Sequence, residues 1–227
     1  IKAVHELAHA YAAKMAGASV SSMGVAFMFF YPTFYTDVTS MWLVESRHKK
    51  MVVNGAGMMA EFYMAVIALF MWAMLPAGDA AVVCLFVATV SLVSSVFINA
   101  SPLMKFDGYF LLSDYLRLEN MQHRALNMAR WDIQKRLVLP SLPRPETQDI
   151  SKRTIMFLTV LGYATMIYRV FLYVGFAALA SLFVPQPWGT WLAICIVLVF
   201  LGVPFAREVK NSILLMATSP NKDVVLR

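Results

Sequence analysis

Near the start of the chain, His5-Glu6-Leu7-Ala8-His9 sets two imidazoles four residues apart with a carboxylate between them. On a helix both rings lie on one face and can reach a single zinc ion, while the glutamate flanks a water bound to that ion. The chemistry of such a layout is hydrolysis. A catalytic zinc usually takes three protein ligands and keeps one position open, so a third ligand must come from elsewhere. The metzincin pattern would supply a histidine six residues beyond His9, but Met15 stands there and that class is excluded. The best candidate is Asp107, at the end of an apolar span, where an ionisable group is expensive unless it binds or reacts with something. Its alternative role is an N-cap for a helix beginning at Tyr109.

The elements that must carry these residues are apolar. Of 227 residues, 60% are hydrophobic and 14% charged, against about 45–50% and about 25% in an ordinary soluble domain. The composition points to an all-α membrane protein: a polytopic bundle of about five to six transmembrane helices with a short membrane-associated β-hairpin after the first helix. Residues 1–17 are alanine-rich and helical up to Gly17, and the segment is shorter than the roughly 20 residues of a full span, so the chain is expected to begin partway through a longer helix. Residues 23–44 are aromatic and β-branched and interrupted by Pro32, which fits short strands or a re-entrant hairpin better than a helix, with the proline at an edge. Apolar helices are expected over about 51–75, 80–98, 154–184 and 188–206, closed by the turns Pro76-Ala77-Gly78-Asp79 and Pro185-Gln186-Pro187. The organisation is then a catalytic membrane core over 1–118, a polar cytoplasmic or interfacial connection over 119–153, two further transmembrane helices over 154–206, and a cytoplasmic tail over 207–227.

Charge gives an independent test, because short cytoplasmic loops carry the excess of lysine and arginine. Threading these spans puts the basic residues of 47–50, 105–153 and 207–227 on one side, while the turns at 76–79 and 185–187 carry none. The basic side is therefore expected to be cytoplasmic, with Gly17 and the polar stretch Asn99 to Gly108 facing it at similar depth. The net charge of +6 comes without the aromatic and basic interleaving of a nucleic-acid platform, so nucleic acid is not an expected partner. Cys84 and Cys195 each sit alone in an apolar run and offer neither a disulfide framework nor a CxxC site.

HExxH on one membrane helix, followed downstream by Asn99-Ala100-Ser101-Pro102 and by Asp107-Gly108, resembles the site-2 protease family of intramembrane zinc metalloproteases. The resemblance covers roughly residues 1–118. It implies zinc held by His5, His9 and Asp107, Glu6 as catalytic base, and Asn99 binding substrate or polarising its carbonyl. It also implies that residues 24–38 are membrane-embedded strands whose free edge receives an unwound substrate. Where many relatives carry Gly-Pro-x-x-Asn, this chain has Gly57-Met58-Met59-Ala60-Glu61, so Glu61 either faces the catalytic cavity and substrate or pairs within the bundle. The turn at 76–79 leaves no room for a PDZ domain, nor the tail for a CBS pair. The layout instead resembles bacterial peptide zinc metalloproteases, often linked with peptide export or maturation. That similarity implies a multi-pass protein of the bacterial inner membrane, its active site toward the cytoplasm. The implied partners are a transmembrane or membrane-associated peptide substrate, the lipid bilayer and an export or accessory membrane protein.

Asp114 follows Asp107 by seven residues and could orient it or a zinc-bound histidine. His48, among Arg47, Lys49 and Lys50, reads as solvated, and His123 has no partner pattern. Arg169 inside an apolar run either pairs with a carboxylate or snorkels. Two other functions compete: a non-proteolytic zinc-binding component of a peptide export or maturation apparatus, and a transporter using Asp107, Glu61 and Arg169 along an ion path. The first does not need Glu6, and the second leaves the histidine spacing unexplained.

Overall fold

The computed structural model describes residues 1–28, 31–137, 144–145 and 151–218. They form two compact units, residues 1–120 and 121–227. The protein is a helical membrane protein with a small two-stranded antiparallel sheet. Among the described residues four helices are long and apolar enough to cross a bilayer.

In the first unit, α1 (Lys2–Met15) buries His5, His9, Ala10 and Ala13 along one stripe. It ends where Gly17 takes a positive φ of 88° and Ala18 N–H closes onto the Ala13 carbonyl at 3.0 Å, a reversal that glycine makes without steric cost. The strands β1 (Met23–Met28) and β2 (Tyr31–Thr36) pair antiparallel, with Met23 opposite Thr36, Val25 opposite Phe34 and Phe27 opposite Pro32. A single 3-10 stretch, Thr39–Leu43, leads into α2 (Arg47–Met74), capped by Ser46 Oγ, which accepts from Lys49 N–H at 3.5 Å. The helix α3 (Asp79–Val93) passes without interruption into a π-helical turn, Ser94–Asn99, and α4 (Asp107–Leu116) closes the unit. α2 is the spine: α1, α3 and α4 all pack on it.

The second unit contains α5 (Met121–Leu137), α6 (Lys152–Phe183) and α7 (Trp188–Val197), which continues through a π-helical stretch, Leu198–Gly202, into α8 (Val203–Thr218). α5 packs on α6 and buries Met121, Ala125, Met128 and Ala129. Tyr163 donates to Asp132 Oδ2 at 2.9 Å, and Gln134 Nε2 donates to Glu208 Oε1 at 2.9 Å, which ties α5 to α6 and α8. The apolar side chains left outward on α2, α3, α6 and α7 are those expected to face lipid, including Phe70, Phe86, Phe171 and Trp191.

Three expectations from sequence change. The count of helices long and apolar enough to span falls to four among the described residues, from the five or six expected. α4 is a ten-residue amphipathic helix and α5 a polar one, so neither adds a span. The last helix does not stop at Ala206 but runs to Thr218, because Arg207, Glu208 and Lys210 favour helix and Glu208 meets Gln134. The polar stretch expected to be irregular from Asn99 instead keeps Asn99 inside the π turn. Residues 138–143 and 146–150, within the expected connection, and 219–227, within the expected tail, lie outside the described residues.

Gly162 is the tightest point of the second unit, since a Cβ there would overlap the Ala125 carbonyl and lie 2.7 Å from Ala129 Cβ. Gly162→Leu is therefore expected to destabilise the α5–α6 pair by about 1–3 kcal/mol. Denaturant unfolding in detergent micelles measures it, and parental stability would contradict this packing.

Candidate metal centre

α1 and α4 bring the chemistry together over α2. His5 and His9, one turn apart on the buried stripe of α1, hold their rings 4.8 Å apart between centroids at 72°. Their Nε2 atoms are separated by 3.1 Å. Asp107 Oδ2 lies 3.0 Å from His5 Nε2 and 3.4 Å from His9 Nε2. These three atoms form a nearly equilateral triangle. For bonds of about 2.0–2.1 Å at tetrahedral angles, ligand atoms must stand about 3.3 Å apart, so one ion can touch all three corners. His5, His9 and Asp107 are the only set of this kind among the described residues.

The far sides of the rings fix what the near sides present. His9 Nδ1 stands 2.8 Å from the Val53 carbonyl, which can only accept, so Nδ1 carries the proton and a neutral ring turns its Nε2 lone pair to the triangle. His5 Nδ1 stands 3.1 Å from Glu61 Oε1, also only an acceptor when ionised. That contact is close but not aligned as a full hydrogen bond, and Nδ1 has no other partner among the described residues. Asp107 Oδ2 is buried and receives no hydrogen bond. With both rings protonated on Nδ1, three lone pairs converge at these distances, an arrangement that a cation would stabilise. An orphaned carboxylate oxygen facing two imidazole lone pairs fits a metal of zinc's preferences.

Asp107 is not an N-cap. The capping position of α4 is Phe106, Asp107 is the first helical residue, and its side chain turns to the histidines. Gly108 makes this approach available, because any Cβ there would strike the Ala100 backbone, with Ala100 Cα only 2.8 Å away. Gly57 does the same on α2: a Cβ would lie 2.5 Å from both His5 Nε2 and His9 Nε2. Both glycines are needed for space, at points where backbone or imidazole passes directly over them.

Glu6 is half-buried between the two histidines in sequence, and its carboxylate has no hydrogen bond or ion pair among the described residues. Its backbone carbonyl accepts from Thr36 Oγ1 at 3.0 Å, which fastens the end of β2 to the α1 turn that carries Glu6. Below that contact Asp37 Oδ1 accepts from the Thr39 hydroxyl at 2.6 Å and from Thr39 N–H at 3.0 Å, bonds that hold the Asp37 carboxyl below its usual range.

Glu61 and Asn99, expected to meet substrate, meet each other. Asn99 Nδ2 donates to Glu61 Oε2 at 2.9 Å, and both residues are buried. Glu61 Oε1 also accepts from Lys2 Nζ at 2.8 Å and from Ser94 Oγ at 3.4 Å. Asp114 does not reach the triangle: its Oδ2 accepts from Asn54 Nδ2 at 2.7 Å, and its carbonyl accepts from Arg47 Nε, so it braces α4 on α2. The reason is axial distance, since seven helical residues advance about 10 Å. His48 is exposed, and in the second unit His123 Nε2 pairs with Asn127 Nδ2 at 3.0 Å. The sequence reading missed Lys2 and the Val53 carbonyl. A lysine three residues before His5 in an apolar helix was a usable signal for a buried acidic partner, whereas a backbone acceptor leaves none.

Comparison of the chain with protein-family models, with curated proteins and with solved structures returned no match. The functional reading therefore stands on this geometry and on the residues themselves.

Because the two imidazoles occupy the space of a Gly57 Cβ, Gly57→Ala is expected to lower metal affinity by at least about tenfold, the scale of losses seen when ligand orientation is disturbed. Metal content of the purified variant after dialysis against a competing chelator reads this directly. Parental affinity would show that the rings do not sit over Gly57.

Proposed function

We propose that this protein is an intramembrane zinc metalloprotease of the site-2 protease type, hydrolysing peptide bonds of membrane-embedded or membrane-associated peptides. The observation that carries the reading is the triangle of His5 Nε2, His9 Nε2 and Asp107 Oδ2, with sides of 3.0 to 3.4 Å, on the same helix turn as Glu6, whose carboxylate has no partner among the described residues. Zinc held there would supply Lewis acidity, bringing the pKa of a coordinated water toward about 7 and polarising a peptide carbonyl. Glu6 accepts the proton of the attacking water on a carboxylate oxygen and returns it to the leaving amine nitrogen, so the residue ends each cycle as it began. A structural zinc site has no use for such a residue.

The apolar setting dictates the rest. A transmembrane helix shields its peptide bonds with its own hydrogen bonds, so the substrate must unwind locally, and the freed backbone groups need partners at once. A two-stranded sheet has unpaired edges on both sides, and the Thr36 bond to Glu6 keeps one end of it beside the base. The strands thus offer backbone pairing next to Glu6. We place the protein in a bacterial inner membrane with the site toward the basic, cytoplasmic side, acting on peptides handled by an export or maturation system.

Reconstitution in liposomes with a panel of single-span peptides carrying central glycine or serine tests this. Cleavage, read by mass spectrometry, is expected in the parent and abolished by a zinc chelator. Glu6→Gln should retain zinc and lose about 10²–10⁴-fold in rate. Full cleavage by Glu6→Gln with normal zinc would remove the assigned base. Retained zinc with no cleavage of any peptide by the parent would favour a non-proteolytic zinc protein.

A further inference from the structure

One buried group lies outside the roles assigned so far. Glu61, at the middle of α2, is 0% exposed, and both of its carboxylate oxygens are held: Oε1 by Lys2 and Ser94, Oε2 by Asn99. Those donors come from α1, from the π turn after α3, and from that turn's last residue. An ionised carboxylate is buried only when its lone pairs are satisfied, and here the remaining approach to Oε1 is taken by His5 Nδ1 at 3.1 Å.

We infer that Glu61 is a positioning residue of the metal centre: the Lys2–Ser94–Asn99 cradle fixes its ionised carboxylate 3.1 Å from His5 Nδ1, so that the ring keeps its proton on Nδ1, facing Glu61, and aims the Nε2 lone pair at the ion. The inference rests on the metal reading above and deepens it. His9 gets the same service from the Val53 carbonyl. The two histidines are therefore oriented by different means, one by a neutral backbone oxygen and one by a charged side chain. A carboxylate behind an imidazole raises the basicity of the ligating nitrogen more than a carbonyl does. Lys2, whose side chain is 47% exposed, offsets the charge of Glu61 at the edge of the cluster. The π turn has a purpose in this scheme. Its extra residue per turn sets Ser94, Ser95 and Asn99 all inward, with Ser95 Oγ donating to the Met58 carbonyl at 3.3 Å while Ser94 and Asn99 reach Glu61.

The test is zinc affinity of the full chain in detergent micelles, by competition with a chromogenic chelator. Glu61→Gln keeps the shape and removes the charge, and is expected to weaken zinc about 10–100-fold. Glu61→Asp keeps the charge but withdraws it by one methylene, and is expected to weaken zinc as well, so the result survives if the glutamine variant does not fold. The distinguishing readout is background dependence. Combined with His5→Ala, Glu61→Gln should cost nothing further, and combined with His9→Ala it should cost its full factor. Equal losses in both backgrounds would show a merely structural role and overturn the inference, as would parental affinity in either single variant. If the parent itself binds no zinc, the metal reading fails, an outcome distinct from either of these.

Discussion

A carboxylate oxygen and two imidazole nitrogens meet within 3.4 Å in the interior of a membrane bundle, and most of the first unit exists to make that meeting tolerable. Bare lone pairs at such distances repel, and in apolar surroundings there is little solvent to screen them. Each participant is therefore pinned from behind. Val53 and Glu61 take the outer faces of the two rings, and the start of α4 presents Asp107 from the third side. The arrangement costs free energy on its own and becomes favourable with a cation at its centre, which is how metal sites couple binding to folding.

Close approach of helices is the second requirement, and small residues meet it. Gly57 lets α1 lay its histidines over α2, and Gly108 lets α4 begin against the Ala100 backbone. Ser94 and Ser95 act alike, but their hydroxyls also bridge to α2. In lipid there is little hydrophobic drive between helices, so tight van der Waals contact and hydrogen bonds of this kind hold the bundle together. The π turn at Ser94–Asn99 belongs to the same economy: an α-helical continuation would carry Asn99 around the helix and away from Glu61.

The second unit follows simpler rules. α5 carries polar residues on one face and a run of Met121, Ala125, Met128 and Ala129 on the other, and it buries that run against α6. Its polar face supplies the side chains that reach Tyr163 and Glu208. Helix formers in 207–218 extend the last span instead of ending it, so hydropathy alone misplaced that boundary by part of a helix.

By itself the sequence determined the apolar class of the protein, the hairpin after the first helix, the two turns between long spans, and the pairing of His5 and His9 on one face. Those features depend on local period, turn chemistry and composition, which are written along the chain. It also singled out Asp107, though it could not choose between a ligand and a cap, because that choice turns on which way one side chain points at a helix start. Tertiary structure excluded the cap, by packing α4 over α2 so that Oδ2 stands 3.0 and 3.4 Å from the two imidazole Nε2 atoms. Tertiary structure also turned Glu61 and Asn99 toward each other and left Asp114 bracing α4. Such partnerships join residues 33 to 102 positions apart, and no local propensity encodes them; they arise from which helix faces meet, and from the need to satisfy every buried charge once they do.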